Sequence, residues 1–229
     1  MEQEKTVFEM VFSEEANDFL NQQPIKVQDK IMYNIRKIQK GEKDSELFKK
    51  LEGTEIWEFR TLYNNIAYRL FAFWDTETNT LVIATHGIIK KTQKTPTKEI
   101  AKAEKIRKMY FEQKKEKEMK QIGDMKFYDF EEILEEHYGP IGTPKRDEFE
   151  SRVDESVRAY KLGEAIKKAR MSQNLTQAQL GEKVGVKGAQ ISKVEKGRCM
   201  SLTTIARIFR AMSIPLTIEI GNIDKLALW

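Results

Sequence analysis

The periodicity of the apolar residues changes once along the chain, and this change constrains the fold more than any other feature. Between residues 57 and 90, apolar and β-branched residues form short runs separated by turn residues, as in WEFRTLY and IAYRLFAFWD. From residue 125 onward they recur almost entirely at helical spacing. A chain of 229 residues is long enough for two domains of ordinary size. We therefore predict the α+β fold class, with a strand-rich domain followed by an all-α domain.

The elements of the first domain follow from this pattern. Thr6 to Phe12 has strand composition, and Ser13 suits the N-cap of a helix. A second helix runs from Pro24 to about Lys40, which predicts a helical hairpin. Three β-rich runs joined by turn residues then predict an antiparallel meander, and a basic helix follows Pro96. The domain thus consists of two helices, a small antiparallel sheet and a C-terminal helix.

Composition excludes several classes of protein. Hydrophobic residues make up 40% of the chain and charged residues 33%, which argues against wholesale disorder. The longest apolar runs are much shorter than the ~20 residues needed to cross a bilayer, and the N-terminus lacks an apolar signal core. The single cysteine, Cys199, permits no internal disulfide, and with two histidines it makes no zinc site. We expect a cytoplasmic protein with no membrane partner, no metal and no cofactor.

The charge is arranged in three blocks of alternating sign. Residues 86–120 hold 12 Lys+Arg and 5 Asp+Glu, a net +7; residues 125–160 hold 5 and 10, a net −5. Residues 161–229 again hold 12 and 5, a net +7. Basic blocks are typical of proteins that bind phosphate backbones, and the acidic block could cover one of them, within the chain or from a second copy. The alternative is three solvated helix faces.

The run NLTQAQLGEKVGVKGAQISKVEKG has the physical features of a helix-turn-helix. Thr176 suits the N-cap of one helix, and Gly185 suits the tight turn before the next. One core is expected to bury Leu180, Val184, Ile191 and Val194. On these residues, the segment resembles the Xre-type, lambda-repressor-like DNA-binding domain, which implies an all-α fold. A terminal strand, LTIEI, follows its last helix.

This resemblance implies a set of DNA contacts. Gln177 would hold a phosphate at the start of the first motif helix. The second helix would carry its base-reading or phosphate-binding donors on its outer face, at Lys187, Gln190 and Lys193. Gly188 and Ala189 occupy the groove-facing start of that helix, so direct base readout would be sparse. A two-fold homodimer on operator DNA is expected, with LTIEI and LALW as dimer seams or as intramolecular core.

Basic residues are unusually dense on the predicted sheet of the first domain, where Arg60, Arg69, His86, Lys90 and Lys91 lie on or beside adjacent strands. Through WEFR, YRLF and HGIIKKTQKTP, residues 5–115 resemble the HigB-like (phage Gp49-like) branch of the RelE/ParE toxin superfamily. The resemblance implies a RelE-like fold and a ribosome-dependent mRNA endonuclease that needs no metal. In that reaction, the ribose 2′-OH attacks the neighbouring phosphate.

The same resemblance assigns roles to individual residues. Arg60 and Arg69 would stabilise the negative charge that develops on the phosphorane. His86 or Lys90 would move protons, and Glu58 is a candidate general base. His86, which precedes a turn-forming glycine, could equally be structural. The RNA backbone would be bound by Lys50, Lys91 and Lys94.

Residues 125–229 look like a HigA-like antitoxin with its own start methionine, so the chain resembles both partners of a toxin–antitoxin pair joined together. We predict a toxin domain over 1–118 and a junction over 119–124. An acidic, toxin-neutralising helical segment covers 125–160, and the DNA-binding domain covers 161–229. The contact between the two halves would be intramolecular or exchanged between chains. Two alternatives remain: a transcription regulator whose RelE-like domain is catalytically inactive, and a ParE-like gyrase inhibitor.

Overall fold

The computed structural model divides into two compact units, Met1–Asp154 and Glu155–Trp229, which are described separately. The described residues are 5–76, 81–90, 95–114, 121–122 and 125–228. The mixed α+β fold class predicted from the sequence is confirmed.

The first unit combines one sheet with helices on both of its faces. Its strands are β1 (Glu9–Ser13), β2 (Phe48–Lys50), β3 (Trp57–Tyr63), β4 (Ile66–Asp75), β5 (Leu81–Lys90), β6 (Gln121–Ile122) and β7 (Met125–Asp129). Its helices are α1 (Glu14–Asn21), α2 (Ile25–Gln39), α3 (Thr97–Lys114), α4 (Phe130–Tyr138) and the first part of α5 (Pro144–Ser172). The predicted helical hairpin corresponds to α1 and α2, and the side chain of Ser13 caps α1 as expected.

The strands follow the order β2-β3-β4-β5-β1-β7-β6. Strands β3, β4 and β5 form the predicted antiparallel meander. Asn64 and Asn65 both have positive φ, 48° and 62°, which is the conformation of a tight hairpin turn. Strand β1 pairs parallel with β5, so the meander is closed on one side by the N-terminal strand.

The two faces of the sheet are covered by different helices. On one face, the Asn34 amide of α2 donates a hydrogen bond of 3.1 Å to the Thr61 hydroxyl of β3. On the other face, Phe71 and Phe73 of β4 pack with Ala103 and Tyr110 of α3. Because successive residues of a strand point to opposite faces, this arrangement places Glu58 and Arg60 on the α3 face.

The acidic segment begins with a strand that the sequence analysis did not predict. Strand β7 pairs antiparallel with β1, with Phe12 opposite Tyr128, and thereby covers what would otherwise be a free edge of β1. Phe130, the first residue of α4, stacks on Phe12 with ring centroids 5.6 Å apart. Five residues are too few to show a clear period, so only the available partner strand distinguishes β7 from the helix that follows it.

A buried ion network joins the acidic segment to α2. The Glu150 carboxylate lies 2.9 Å from Arg36 Nη2, 2.7 Å from Lys40 Nζ and 3.1 Å from Arg146 Nε. Lys40 also lies 2.6 Å from Asp154 Oδ1. Arg36 and Arg146 each pair with a further carboxylate, that of Glu131.

This network corrects one expectation. The acidic segment could have covered one of the basic blocks by charge. Among the described residues, its buried ion pairs are made instead with Arg36 and Lys40, which belong to α2 and its C-cap, and it meets the block at 86–120 through the aromatic contact of Phe127 with Tyr110. The cause is the pairing of β7 with β1, which positions α4 and α5 beside α2. A count of charge along the sequence cannot detect this, because α2 lies outside the basic blocks.

The second unit contains the remainder of α5, then α6 (Gln177–Val184), α7 (Gly188–Glu195), α8 (Leu202–Ala211) and the hairpin of β8 (Thr217–Ile220) with β9 (Asp224–Ala227). The helix-turn-helix prediction is confirmed. Thr176 and Gln179 form a reciprocal capping box, and Gly185 ends α6 with φ 76°. All four predicted core residues are buried. Strand β9 was not predicted.

Glu150 should make the stability of the first unit dependent on pH. Burial of Glu150 raises the pKa of its carboxyl. The hydrogen bonds and charges of Arg36 and Lys40 lower this pKa by more than burial raises it, so the net value lies below the ordinary 4.5. A lowered folded-state pKa stabilises the fold above about pH 4.5, and this contribution is lost as the pH falls through the folded-state value. The free energy of unfolding, measured by urea titration with tryptophan fluorescence, should therefore decrease as the pH falls below about 4.5.

The matched variant is Glu150→Gln, which is expected to lose about 3–5 kcal/mol at neutral pH because three cations keep their burial without this counter-charge. The same change at Glu136, an exposed residue of α4, should have little effect. A pH profile of Glu150→Gln as steep as that of the unaltered chain would contradict the assignment.

Candidate nucleic-acid sites

A cationic cluster forms where β3 and β4 pair. Arg60 and Arg69 are direct cross-strand partners, so their side chains share the α3 face of the sheet. Glu58 lies on the same face: its Oε1 is 3.2 Å from Arg60 Nε and 3.6 Å from Arg69 Nε. The Thr95 hydroxyl donates a hydrogen bond of 3.1 Å to the other oxygen of this carboxylate. The alternation of β3 therefore brings together three residues that the sequence analysis selected.

Lys90 belongs to the same electrostatic environment. Burial lowers its pKa, the charges of Arg69 and Arg60 lower it further, and Glu58 opposes this effect. The pKa of Arg69 is also lowered, mainly by burial and additionally by Arg60. A lysine whose pKa is lowered is better suited to donate or accept a proton than an ordinary surface lysine.

Two hydrogen-bond donors of the cluster have no acceptor. The Nε atoms of Arg60 and Arg69 are both buried and have no hydrogen-bond partner, although each lies near Glu58. The side chain of Arg60 is 30% exposed, so solvent and ligands can reach it. A buried donor without an acceptor destabilises the fold unless a ligand or water accepts its hydrogen bond. The site is therefore suited to an anion with several oxygen atoms, such as a phosphate.

His86 does not join this cluster. It is 1% exposed and stacks on Phe71, with ring centroids 4.8 Å apart. Its Nδ1 lies 3.0 Å from the Thr85 hydroxyl, and its Nε2 lies 3.3 Å from the Glu99 carboxylate of α3. Its pKa is lowered, first by burial and then by the charge of Lys102. Phe71, which pairs with both Glu58 and His86, stands between the imidazole and the cluster.

Of the three lysines expected to bind the RNA backbone, the one within the described residues, Lys50, does not lie at the cluster. Lys50 is exposed and pairs with Glu55 at 2.9 Å. Its register partner is Trp57, so it projects from the face opposite to the one that carries Glu58. Lys91 and Lys94 lie outside the described residues.

In the second unit, Lys187 and Lys193 are exposed at the two ends of α7, and Gln190 between them is half-buried. Gln177, expected to hold a phosphate, donates its side-chain amide to Glu195 Oε2 at 2.7 Å. The same carboxylate is bound by Arg170, with Arg170 Nη2 3.2 Å away. The hydrogen bond of Gln177 therefore links the start of α6 to the end of α7.

Gly188 has a packing role. A Cβ atom at this position would lie only 3.1 Å from the Cα and N atoms of Ala178, so the missing side chain lets α7 approach α6 closely. The expectation that Gly188 faces the DNA groove is therefore corrected: it faces α6, whereas Ala189 is exposed. Of the two small residues at the start of α7, Gly188 is therefore explained by helix packing, whereas Ala189 is not.

Two families of protein match separate parts of the chain. Residues 18–108 match the family model of phage-derived Gp49-like proteins (DUF891). Residues 166–218 match a helix-turn-helix family model. The chain carries a Gp49-like domain followed by a helix-turn-helix domain. This order matches a toxin joined to a helix-turn-helix antitoxin or regulator. A search of curated proteins finds no match.

The cluster of Glu58, Arg60, Arg69 and Lys90 lies within the Gp49-like match, and all four candidate DNA contacts lie within the helix-turn-helix match. Sequence reasoning missed Lys49, an exposed residue whose register partner is Glu58. The alternation of β2 places it on the same face as the cluster. The signal was the FKK run, but so short a strand was not recognised.

The described residues lack two further kinds of feature. They contain no group of three or more His, Cys, Asp or Glu side chains that could hold a metal ion. None of the described helices is long and apolar enough to cross a membrane.

The anion site of the Gp49-like domain can be tested with Glu58→Gln. Removing the carboxylate leaves Arg60 and Arg69 without their counter-charge, so the melting temperature should fall. The expected loss of stability is about 3 kcal/mol, which is the low end for a broken buried ion pair, because Arg60 is partly exposed to solvent. Inorganic phosphate should restore the lost stability, because its oxygens can accept from both guanidinium groups.

The matched control is Glu55→Gln, which makes the same chemical change in an exposed ion pair and should change the melting temperature little. Phosphate should stabilise this control no more than the unaltered chain. Equal stabilisation of both variants by phosphate would count against an anion site at the cluster.

Proposed function

We propose that the protein is a fused type II toxin–antitoxin of the cytoplasm. The Gp49-like domain acts as a metal-independent, ribosome-dependent mRNA endonuclease. The remainder of the chain neutralises it and binds operator DNA as an autorepressor. The observation that carries this proposal is the cluster of Arg60, Arg69, Lys90 and Glu58 on one sheet face, with two buried guanidinium donors left without hydrogen-bond partners.

The cluster can supply each part of the proposed cleavage. Attack of a ribose 2′-OH on the adjacent phosphate gathers negative charge on the phosphoryl oxygens, which Arg60 and Arg69 would stabilise. Glu58 would accept the proton of the 2′-OH, and the proton on Lys90 would pass to the departing 5′-oxygen. The pairing of Glu58 with both arginines must loosen when the phosphate binds. His86, closed off behind Phe71, is assigned a structural role in this scheme.

Neutralisation would act through the contacts of the acidic segment with the toxin domain. These contacts comprise the β7–β1 pairing and the buried ion network around Glu150. The ion network lies on the side of α2, away from the α3 face that carries the cluster. On the α3 face, Phe127 of β7 packs against Tyr110 of α3, but β5 and β1 separate β7 from β3 and β4, the strands that carry Glu58, Arg60 and Arg69. We therefore propose that the acidic segment blocks access of the toxin domain to the ribosome by occupying its β1 edge and α2, and leaves the catalytic residues uncovered.

DNA binding would use α7. Lys187 and Lys193 are exposed and separated by less than two helical turns, a spacing suited to contacts in the major groove. A homodimer would place two copies of α7 on a palindromic operator. The β8–β9 hairpin is a candidate dimer surface because it exposes apolar side chains, among them Ile220 and Leu226.

One observation favours a second candidate function. The Glu58 carboxylate already lies between Arg60 and Arg69, where a substrate phosphate would bind. If this pairing does not open, the Gp49-like domain serves as an interaction module of a transcription regulator.

Expression of residues 1–118 alone separates these functions. We expect growth arrest and cleavage of translated mRNA, because the segment that blocks access has been removed. Co-expression of residues 125–229 should restore growth, and Arg69→Ala should remove toxicity without unfolding the domain. Growth without arrest would favour the regulator, and intact mRNA with altered DNA supercoiling would favour a gyrase inhibitor.

Operator binding tests the placement of α7. In the full chain, Lys187→Ala or Lys193→Ala should weaken binding to the promoter DNA by about 1–3 kcal/mol, as expected for loss of a base contact. Lys26→Ala, which removes an exposed lysine of α2 in the first unit, is the control. Titration by fluorescence anisotropy at fixed salt concentration measures these differences, and unchanged affinity in both α7 variants would reject the placement.

A further inference from the structure

The face of the sheet opposite to the cationic cluster contains a cavity of about 330 Å³. Phe48, Trp57 and Trp74 line it, and Phe8 completes the aromatic wall. This volume falls at the lower end of the range of about 300–1,000 Å³ that is typical of small-molecule sites. Both tryptophans are only partly buried, so a ligand can reach their rings. The proposed cleavage reaction makes no use of this cavity.

The rings of the cavity form a corner. Phe48 and Trp57 stack with centroids 4.8 Å apart and an interplanar angle of 25°. Trp74 stands nearly perpendicular to Trp57, at 81°, with centroids 6.3 Å apart. A flat aromatic ligand entering such a corner can stack on one ring while it meets the edge or face of another. The walls therefore favour a planar ring over a branched aliphatic group.

The rim of the cavity carries two carboxylates and one lysine. It is formed by the loop after α2, which contributes Glu42, Lys43 and Asp44. Glu42 pairs with Lys37 at 3.0 Å, and Asp44 Oδ1 accepts a hydrogen bond of 2.8 Å from the backbone of Glu46. Carboxylate oxygens can accept several hydrogen bonds each, so this rim favours a ligand with amine donors.

The rim loop is bonded to the cationic cluster. Arg60 Nη1 donates to the Ser45 carbonyl at 3.3 Å, and the backbone N–H of Arg60 donates to the Leu47 carbonyl at 2.7 Å. Trp57 of the cavity and Glu58 of the cluster are successive residues of β3 that point to opposite faces. Only the three-residue edge strand β2 lies outside them. An extended polynucleotide could pass around this edge with a phosphate on one side and a base on the other.

We propose that this cavity binds one amine-bearing nucleobase, that is adenine, cytosine or guanine. The base stacks within the aromatic corner, and its exocyclic amine donates to the carboxylates of the rim. The base can come from a free nucleoside or from an RNA strand whose phosphate occupies the cluster, and this second source rests on the proposed endonuclease function.

Tryptophan fluorescence provides a direct test with the full chain. The chain has three tryptophans, so Trp229→Phe leaves only Trp57 and Trp74 as reporters. Adenosine and cytidine should change the fluorescence in a saturable way because their rings stack on the reporters. Uridine, which lacks the amine, should bind at least about tenfold more weakly. The absence of any saturable change, or equal affinity for uridine and adenosine, would overturn the proposal.

A variant that fills the mouth of the cavity locates the binding site. Val7 lines the rim and is 59% exposed, so Val7→Tyr adds bulk there without disturbing the core. The control is Ile25→Tyr, the same kind of change at a position that is 72% exposed and does not line the cavity. Val7→Tyr should weaken adenosine binding at least about tenfold, and Ile25→Tyr should leave it unchanged. Equal effects of the two variants would overturn the proposal.

A 2′-O-methylated oligouridine with one internal adenosine identifies the source of the base, since it cannot be cleaved. Tighter binding than adenosine, lost in Arg69→Ala, would assign the cavity to an RNA strand. Binding of adenosine but not of the oligonucleotide would assign it to a free nucleoside. These titrations contain no ribosome, so their failure leaves the endonuclease proposal intact. A harmless 1–118 fragment would in turn leave the binding of nucleosides unaffected.

Discussion

The first unit depends on the two partners of strand β1. On one side, β1 pairs parallel with β5 and so completes the sheet of the Gp49-like domain. On the other side, it pairs antiparallel with β7, the first element of the acidic segment. A strand with one free edge exposes a row of unpaired backbone donors and acceptors, and β7 satisfies them. This pairing also determines that α4 and α5 lie beside α2, where their carboxylates meet Arg36 and Lys40.

The buried charges on the two sides of the first unit differ in how they are satisfied. Around Glu150, three cations and three carboxylates form a network of short contacts, which suits a permanent interface. Around Glu58, the contacts are longer, and two guanidinium nitrogens lack hydrogen-bond partners. Incomplete satisfaction of a charged cluster is costly for folding. One nitrogen of the Glu150 network, Arg146 Nη1, also lacks a partner, but the side chain of Arg146 is 0% exposed whereas that of Arg60 is 30% exposed. Access from solvent is therefore the reason for assigning ligand binding to the Glu58 side and domain association to the Glu150 side.

Much of the fold was predictable, because it rests on local signals. The Asn64–Asn65 turn, the capping of α1 by Ser13 and the capping box at Thr176 are each determined within a few residues. The alternation of β3 was sufficient to place Glu58 and Arg60 on one face. Strand β7 and the role of Gly188 could not be predicted in this way, since each depends on a partner that is distant in sequence or on a close approach between helices.

The sequence by itself determined the order of the elements, the two-part organisation and the residue types available for phosphate chemistry, because periodicity, caps and charge are properties of short segments. Only the tertiary structure decided which of these residues meet. Strand register brought Arg60 to Arg69 and added Lys49 to the same face, whereas the packing of α3 enclosed His86 behind Phe71. The pairing of distant strands also directed the acidic segment to α2. Such choices depend on three-dimensional neighbours, which no single stretch of sequence specifies.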